Sequence, residues 1–133
     1  MDLMKRRREI IASRRGGTIT GDLFAVADKL ANTTLDATGG TIAENGMVVA
    51  DYVQIVPETE YVFTITANST GARTRRFVCY DADKSFISVL ASQGWMNSGQ
   101  TFTTTVQMPS NAKYARIATL NSDSTSAIGK IVV

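Results

Sequence analysis

The stretch from Met47 to Ala67 leaves this chain the fewest ways to fold. In its second half Tyr61, Phe63, Ile65 and Ala67 fall on one face, and Glu60, Val62, Thr64 and Thr66 on the other. A period of two in aromatic and β-branched residues is the pattern of a strand with one buried face. In the first half Val49, Asp51, Val53 and Ile55 alternate with Val48, Ala50, Tyr52, Gln54 and Val56. Pro57 has no N–H to give a sheet ladder, so it belongs where the first strand ends and a turn begins. Two strands cannot bury a face alone. The rest of the chain has to complete a sandwich around them.

From Leu35 onward, clusters of Ser, Thr, Gly and Asn punctuate short β-rich runs about every ten residues, the spacing of an all-β sandwich or barrel. The runs predict strands at Thr41–Ala43, Met47–Val56, Tyr61–Ala67, Thr74–Tyr80, Phe86–Leu90, Thr101–Gln107, Tyr114–Leu120 and Ile128–Val133. Gly39-Gly40 and Asn45-Gly46 read as turns, the second as a hairpin. Asp81-Ala82-Asp83-Lys84 reads as a tight turn, and Ala91 to Gln100 as a longer loop holding the one tryptophan, Trp95. Upstream, Thr18-Ile19-Thr20 is a short extended piece. Asp22 is a candidate N-cap for Leu23, Val26, Ala27 and Leu30, whose spacing predicts two helical turns over 23–31. The alternative there is an irregular connection. The expected division is a basic arm and connector over 1–32 and a sandwich domain over 33–133.

At 133 residues the chain holds one domain and at most an appendage. No window approaches the ~20 apolar residues of a membrane span, so no membrane partner is expected. No secretory signal is expected either, because the basic start runs into Glu9-Ile10-Ile11-Ala12-Ser13 and then more arginine. There is no histidine and one cysteine, Cys79, which reads as a small core residue within Phe77-Val78-Cys79-Tyr80. Ser-His-Asp, Cys-His and zinc-hydrolase chemistry therefore lack their parts. Glu58 and Glu60 lie in a turn and read as solvated groups rather than a glycosidase pair. The expectation is a non-enzyme with no cofactor.

The net charge of +2 hides an asymmetry. Residues 1–15 hold six basic residues against two acidic ones, a net of +4, which leaves −2 for residues 16–133. Lys5, Arg6, Arg7, Arg8, Arg14 and Arg15, with Ile10 and Ile11, form a partly helical arm suited to anchoring on another protein. The other readings are a solvated tail and nucleic-acid binding. No aromatic residue is interleaved with the arginines, so base stacking is not suggested and a nucleic-acid partner is not expected.

Trp95 is the leading ligand candidate, since sugar rings stack on exposed aromatic faces; Gln93, Asn97 and Gln100 would read the hydroxyls. The bland reading makes Trp95 a plug over the open end of the sandwich. Asp81 and Asp83, with Ser85, offer oxygens for calcium, but Lys84 opposes a cation and three ligands fall short of six. Turn chemistry explains the pair better, so no metal is expected. Arg73, Arg75 and Arg76 form a second basic cluster; Arg73 and Arg75 share a face, which predicts an exposed edge guarded by charge. Arg116 alternates with Ala115 and Ile117, so it faces solvent or pairs with a carboxylate such as Asp81.

Three phrases carry a family likeness: Asp51 to Pro57 followed by Thr59-Glu60-Tyr61, then Phe77 to Ile87, then Met108-Pro109-Ser110-Asn111-Ala112-Lys113-Tyr114-Ala115-Arg116-Ile117. They resemble the jelly-roll, carbohydrate-binding-module-like sandwiches of structural proteins of tailed phages and of surface proteins of gut bacteria. The resemblance covers roughly residues 35–120. It implies an antiparallel β-sandwich of jelly-roll type, with Tyr61 and Tyr114 in framework roles. The opening with Lys5-Arg6-Arg7-Arg8 also looks like the start of phage structural proteins. What it implies for function is a non-enzymatic virion component, a capsid decoration, head-fibre or tail protein, made in the host cytoplasm. It would anchor by its arm to capsid or tail proteins and assemble as a homo-oligomer. The alternative is a glycan-binding adhesion module built on Trp95.

Overall fold

The computed structural model describes residues 18–132, and β4 (Glu60–Thr66) is the strand on which their core is built. Its alternation holds: Tyr61, Phe63 and Ile65 are buried between two sheets. They meet Phe77 and Cys79 of β5 (Arg75–Tyr80) and Ala115 and Ile117 of β8 (Tyr114–Leu120). The Phe63 and Phe77 rings lie 5.7 Å apart. Each such side chain contributes about 1.5–3 kcal/mol when fully buried. The Tyr61 hydroxyl accepts the Val56 N–H at 2.9 Å, which holds the chain into its turn at Pro57.

The remaining elements are β1 (Thr18–Thr20), α1 (Leu23–Val26), β2 (Lys29–Leu35), β3 (Thr41–Gln54), β6 (Phe86–Gln93), β7 (Thr101–Gln107) and β9 (Thr125–Val132). Four strands pair in the order β1-β9-β4-β7 and five in the order β2-β3-β8-β5-β6, every pair antiparallel. This is the antiparallel jelly-roll-type sandwich expected.

The start of the sandwich departs from expectation. Asp22 does cap a helix, its Oδ1 accepting from Phe24 N at 3.0 Å, but the helix stops at Val26. Lys29–Leu35 is a strand, so the boundary expected between residues 32 and 33 cuts through β2. Pairing with β3 overrides the helical spacing of Leu30, whose side chain is exposed. Asn45-Gly46 does not turn a hairpin either. Residues 41–54 run as one strand, and the reversal comes earlier, at Asp36–Gly40. The β2–β3 register shifts between Ala31 and Thr33, and Gly46, at φ +85°, carries the excess length on β3. Its N–H is taken by Asn32 Oδ1 at 3.1 Å.

The turn end of the β2–β3 hairpin, from Leu35 to Gly39, folds over the outer face of the five-stranded sheet to which its strands belong. Leu35, Met47, Val49, Val78, Tyr80 and Ala118 form a second small core there. The Tyr80 hydroxyl donates to the Gly39 carbonyl at 2.6 Å, and burial pushes its pKa above the ordinary phenol value. Gly39 sits at φ +75°, and a Cβ there would lie 2.9 Å from the Phe86 ring and from the Tyr80 hydroxyl, so only glycine fits.

The hairpin turn carries a pH dependence. Asp36 Oδ1 accepts from Gly40 N at 2.9 Å, Thr38 N at 2.8 Å and Thr38 Oγ1 at 2.9 Å. These bonds, that from Gly40 first, hold its carboxyl below the ordinary carboxylate value. A depressed folded-state pKa adds stability that is present above the unfolded value of about 3.9 and lost as pH falls through the folded one. Asp36→Asn is therefore expected to flatten the acid limb of the stability curve below about pH 4, measured by denaturant midpoints across the acid range.

Candidate functional site

The loops of residues 67–74, 94–100 and 121–124 gather at the end of the sandwich where β4, β6 and β8 finish. Backbone bonds knit them together. Ala67 N donates to Gln100 O at 2.9 Å and Gly99 N to Ala67 O at 2.7 Å, while Gly71 and Met96 exchange two bonds of 3.0 Å. Ser98 N donates to Thr70 Oγ1 at 3.0 Å. Met96 is fully buried in the main core and is the plug of this end. Trp95, next to it, stays 58% exposed. The indole is presented to solvent on a loop whose neighbouring residue is locked inside.

Beneath the loops lies a buried ion pair. Arg75 Nη2 donates to Asp123 Oδ1 at 2.8 Å and Nε to Oδ2 at 3.0 Å, both side chains being essentially inaccessible. Arg75 Nη1 reaches the Arg73 and Gly94 carbonyls at 3.3 Å, and Asp123 Oδ2 also accepts Leu120 N at 3.0 Å. One guanidinium thus touches all three loops. The exposed, charge-guarded edge expected of Arg73 and Arg75 is corrected here: β5 runs between β8 and β6, and Arg75 points inward. Its phase with Phe77 and Cys79 was the available sign. Arg73 is exposed and donates to the Asn45 carbonyl, and Arg76 Nη1 donates to the Leu35 carbonyl at 2.6 Å.

At the same end a groove of about 420 Å³ is lined by residues that include Ser69, Thr70, Gly71, Arg73, Asn121 and Ser122; Trp95 is not in its lining, and Gly71 and Thr70 tie the groove to the tryptophan loop through Met96 and Ser98. The hydroxyls, the Asn121 amide and the Arg73 guanidinium of the groove can hydrogen-bond a polyol, and the exposed indole of the adjoining loop offers a face for a sugar ring. Of the four residues the sequence pointed to, all lie on this one loop or its approach. Gln93 Nε2 donates to the Trp95 carbonyl at 2.9 Å, and Gln100 Oε1 accepts Asn97 N at 3.0 Å, so both brace the loop. The exposed Asn97 amide makes no side-chain hydrogen bond among the described residues.

The other sequence candidates lie elsewhere. Asp81 Oδ1 accepts from Asp83 N at 2.8 Å and Ser85 N at 3.0 Å, which is turn chemistry. Among the described residues no group of three or more His, Cys, Asp or Glu could hold a metal ion. Glu58 and Glu60 border a groove of about 350 Å³ with Gln107 and Lys130 at the opposite end of the four-stranded sheet, where Thr18 pairs with Val132. Arg116 is nearly buried and lies near Asp51 rather than Asp81. Lys5, Arg6, Arg7, Arg8, Ile10, Ile11, Arg14 and Arg15 fall outside the described residues.

The fold and this end define an antiparallel β-sandwich with a clamped loop cluster. No protein-family model and no curated protein matches the sequence. Among solved structures, the chain is similar to the K3 cleaved adhesin domain of Lys-gingipain from Porphyromonas gingivalis. Identity there is 13% over 74% of this chain and 69% of that one, with a TM-score of 0.43. It is also similar to a CBM4 structure, at 13% identity over 88% and 76% of the two chains and a TM-score of 0.43. A third is the carbohydrate-binding module CBM6cm-2 of Cellvibrio mixtus lichenase 5A in complex with cellotriose, at 14% identity over 86% and 91% and a TM-score of 0.39. Similarity at this level brings no ligand to this chain, and the implied phage connection draws no support from it.

Proposed function

We propose that the chain is a non-catalytic glycan-binding adhesion module whose platform is the Trp95 loop and the groove beside it. The observation that carries this reading is Trp95 itself, a large aromatic left 58% exposed on a loop pinned by Met96, Gly71 and Gln93. A rigid aromatic loses little freedom on binding, and the hydroxyl and amide side chains of the groove joined to its loop suit a sugar better than an apolar ligand. The virion role rests on the basic arm, and no described residue favours it over ligand binding.

Gly71 gives a clean test. It lies in the groove at an ordinary φ, and nothing comes within 4 Å of a Cβ built on it. Gly71→Phe is expected to fold with an unchanged melting transition and to lose the signals that the full-length chain gives on a glycan array. Retained binding by a folded Gly71→Phe variant would take the groove out of the account, and a wild-type chain that binds no glycan would refute the reading.

A further inference from the structure

We propose that the outer face of the five-stranded sheet carries a second site, at Tyr52, Tyr114, Lys84 and Arg116, for a sugar bearing a carboxylate or sulfate group. The site owes nothing to the Trp95 loop, which lies at the other end of the strands.

Three tyrosines cluster where the cover of the β2–β3 hairpin ends. The Tyr52 ring lies 5.0 Å from Tyr80 and 6.2 Å from Tyr114, edge-on to both. Tyr80 is sealed beneath the hairpin turn, whereas Tyr52 and Tyr114 stay half-buried. Two cations meet these rings. The Arg116 guanidinium carbon lies 4.5 Å from the Tyr52 centroid, and Lys84 Nζ lies 5.0 Å from Tyr52 and 5.4 Å from Tyr114. Lys84 does not trail freely. Its backbone occupies φ +62° in a turn that the Asp81 carboxylate clamps, and its ammonium lies over the rings.

Arg116 supplies the stronger argument. It is 6% exposed, its guanidinium acts as a donor toward the Tyr80 hydroxyl, and its Nε is buried without a partner. The nearest carboxylate, Asp51 Oδ1, stands 3.8 Å away and already accepts Tyr52 N at 2.8 Å. A nearly buried guanidinium met only by a phenol hydroxyl and a carboxylate 3.8 Å away is incompletely paired, and desolvation is repaid only when its hydrogen bonds are made. The planar fork of arginine matches the paired oxygens of a carboxylate or sulfate. Tyrosine faces take the apolar side of a pyranose. A cationic ligand would meet two resident cations, and a neutral sugar would bring no anion to the Lys84 ammonium, which forms no ion pair among the described residues. An acidic sugar answers both.

The test uses the full-length chain and two acidic probes, a hyaluronan tetrasaccharide and a chondroitin sulfate tetrasaccharide, with cellotetraose as the neutral control. Backbone and side-chain resonances are followed by NMR at low and high salt. The expected result is saturable shifts at Tyr52, Tyr114 and Lys84 with an acidic probe that weaken with salt. Lys84→Asn, which keeps a residue type tolerant of positive φ, should lower that affinity at least tenfold without moving the melting temperature. Trp95→Ala should leave it unchanged. Absence of shifts at these residues with both acidic probes overturns the site, as does equal binding of cellotetraose or an unaffected Lys84→Asn. Acidic probes that shift only the Trp95 loop overturn this site and leave the loop reading standing.

Discussion

Replacing Asp123 with alanine is expected to destabilise the protein by about 3–5 kcal/mol, the largest effect of any single substitution considered for this chain. Among the described residues the carboxylate is the one anionic partner of the buried Arg75, bonded through both oxygens, and it also caps the Leu120 N–H. Without it the guanidinium keeps only two carbonyl contacts of 3.3 Å, and a buried charge stands uncompensated. For a domain of this size the melting temperature should fall by roughly 10–20 °C. The double variant Arg75→Met/Asp123→Leu should recover much of that loss, since apolar replacement of a whole buried pair is often neutral. Thermal denaturation of the two variants beside wild type separates charge from packing. Equal destabilisation of both would show that lost contacts, not the stranded cation, set the effect. The loop end would also loosen in Asp123→Ala, because Arg75 is the hub joining Arg73, Gly94 and Asp123.

Trp95→Ala is expected to do the opposite: small in stability, large in binding. An exposed side chain away from the core changes stability by about 0.5 kcal/mol or less, so the melting temperature should move by no more than about 4 °C. As the central aromatic of the platform, Trp95 should cost glycan affinity at least tenfold on truncation, about 1.4 kcal/mol. Thermal denaturation and calorimetric titration against the best array ligand, run on the same sample, measure the two arms. Stability loss together with retained affinity would return Trp95 to the role of a plug, the role that the buried Met96 fills in the structure.

The parts of the fold that were legible in sequence are those where one strand keeps one phase. In β4 alternation alone placed Tyr61, Phe63 and Ile65 in the core. In β3 it misled, because the bulge between Ala50 and Val53 switches the faces. Val49 and Val53, in step along the sequence, end in the outer cluster and against the main core respectively. Strand β2 was hidden by the chance helical spacing of Leu23, Val26, Ala27 and Leu30. Its evidence is non-local, since only the partner strand β3 makes Lys29–Leu35 a strand. The tryptophan loop was legible, but its clamp was not: Arg75 and Asp123 are 48 positions apart, and nothing local links them. The tyrosine face lay in plain alternation, opposite in phase to Cys79, Ala115 and Ile117, and went unseen because Tyr52 joins it only through the bulge.

The central claim is that Trp95 and its groove bind a sugar, and the chain's one tryptophan makes that directly observable. The measurement is the Trp95 indole N–H resonance during titration with cellotetraose, chitotetraose and mannotetraose at millimolar concentration. A saturable shift of the indole with at least one of them, joined by Thr70, Asn97 and Asn121, is the predicted result. An indole that stays fixed with all three while the protein remains folded would contradict the account.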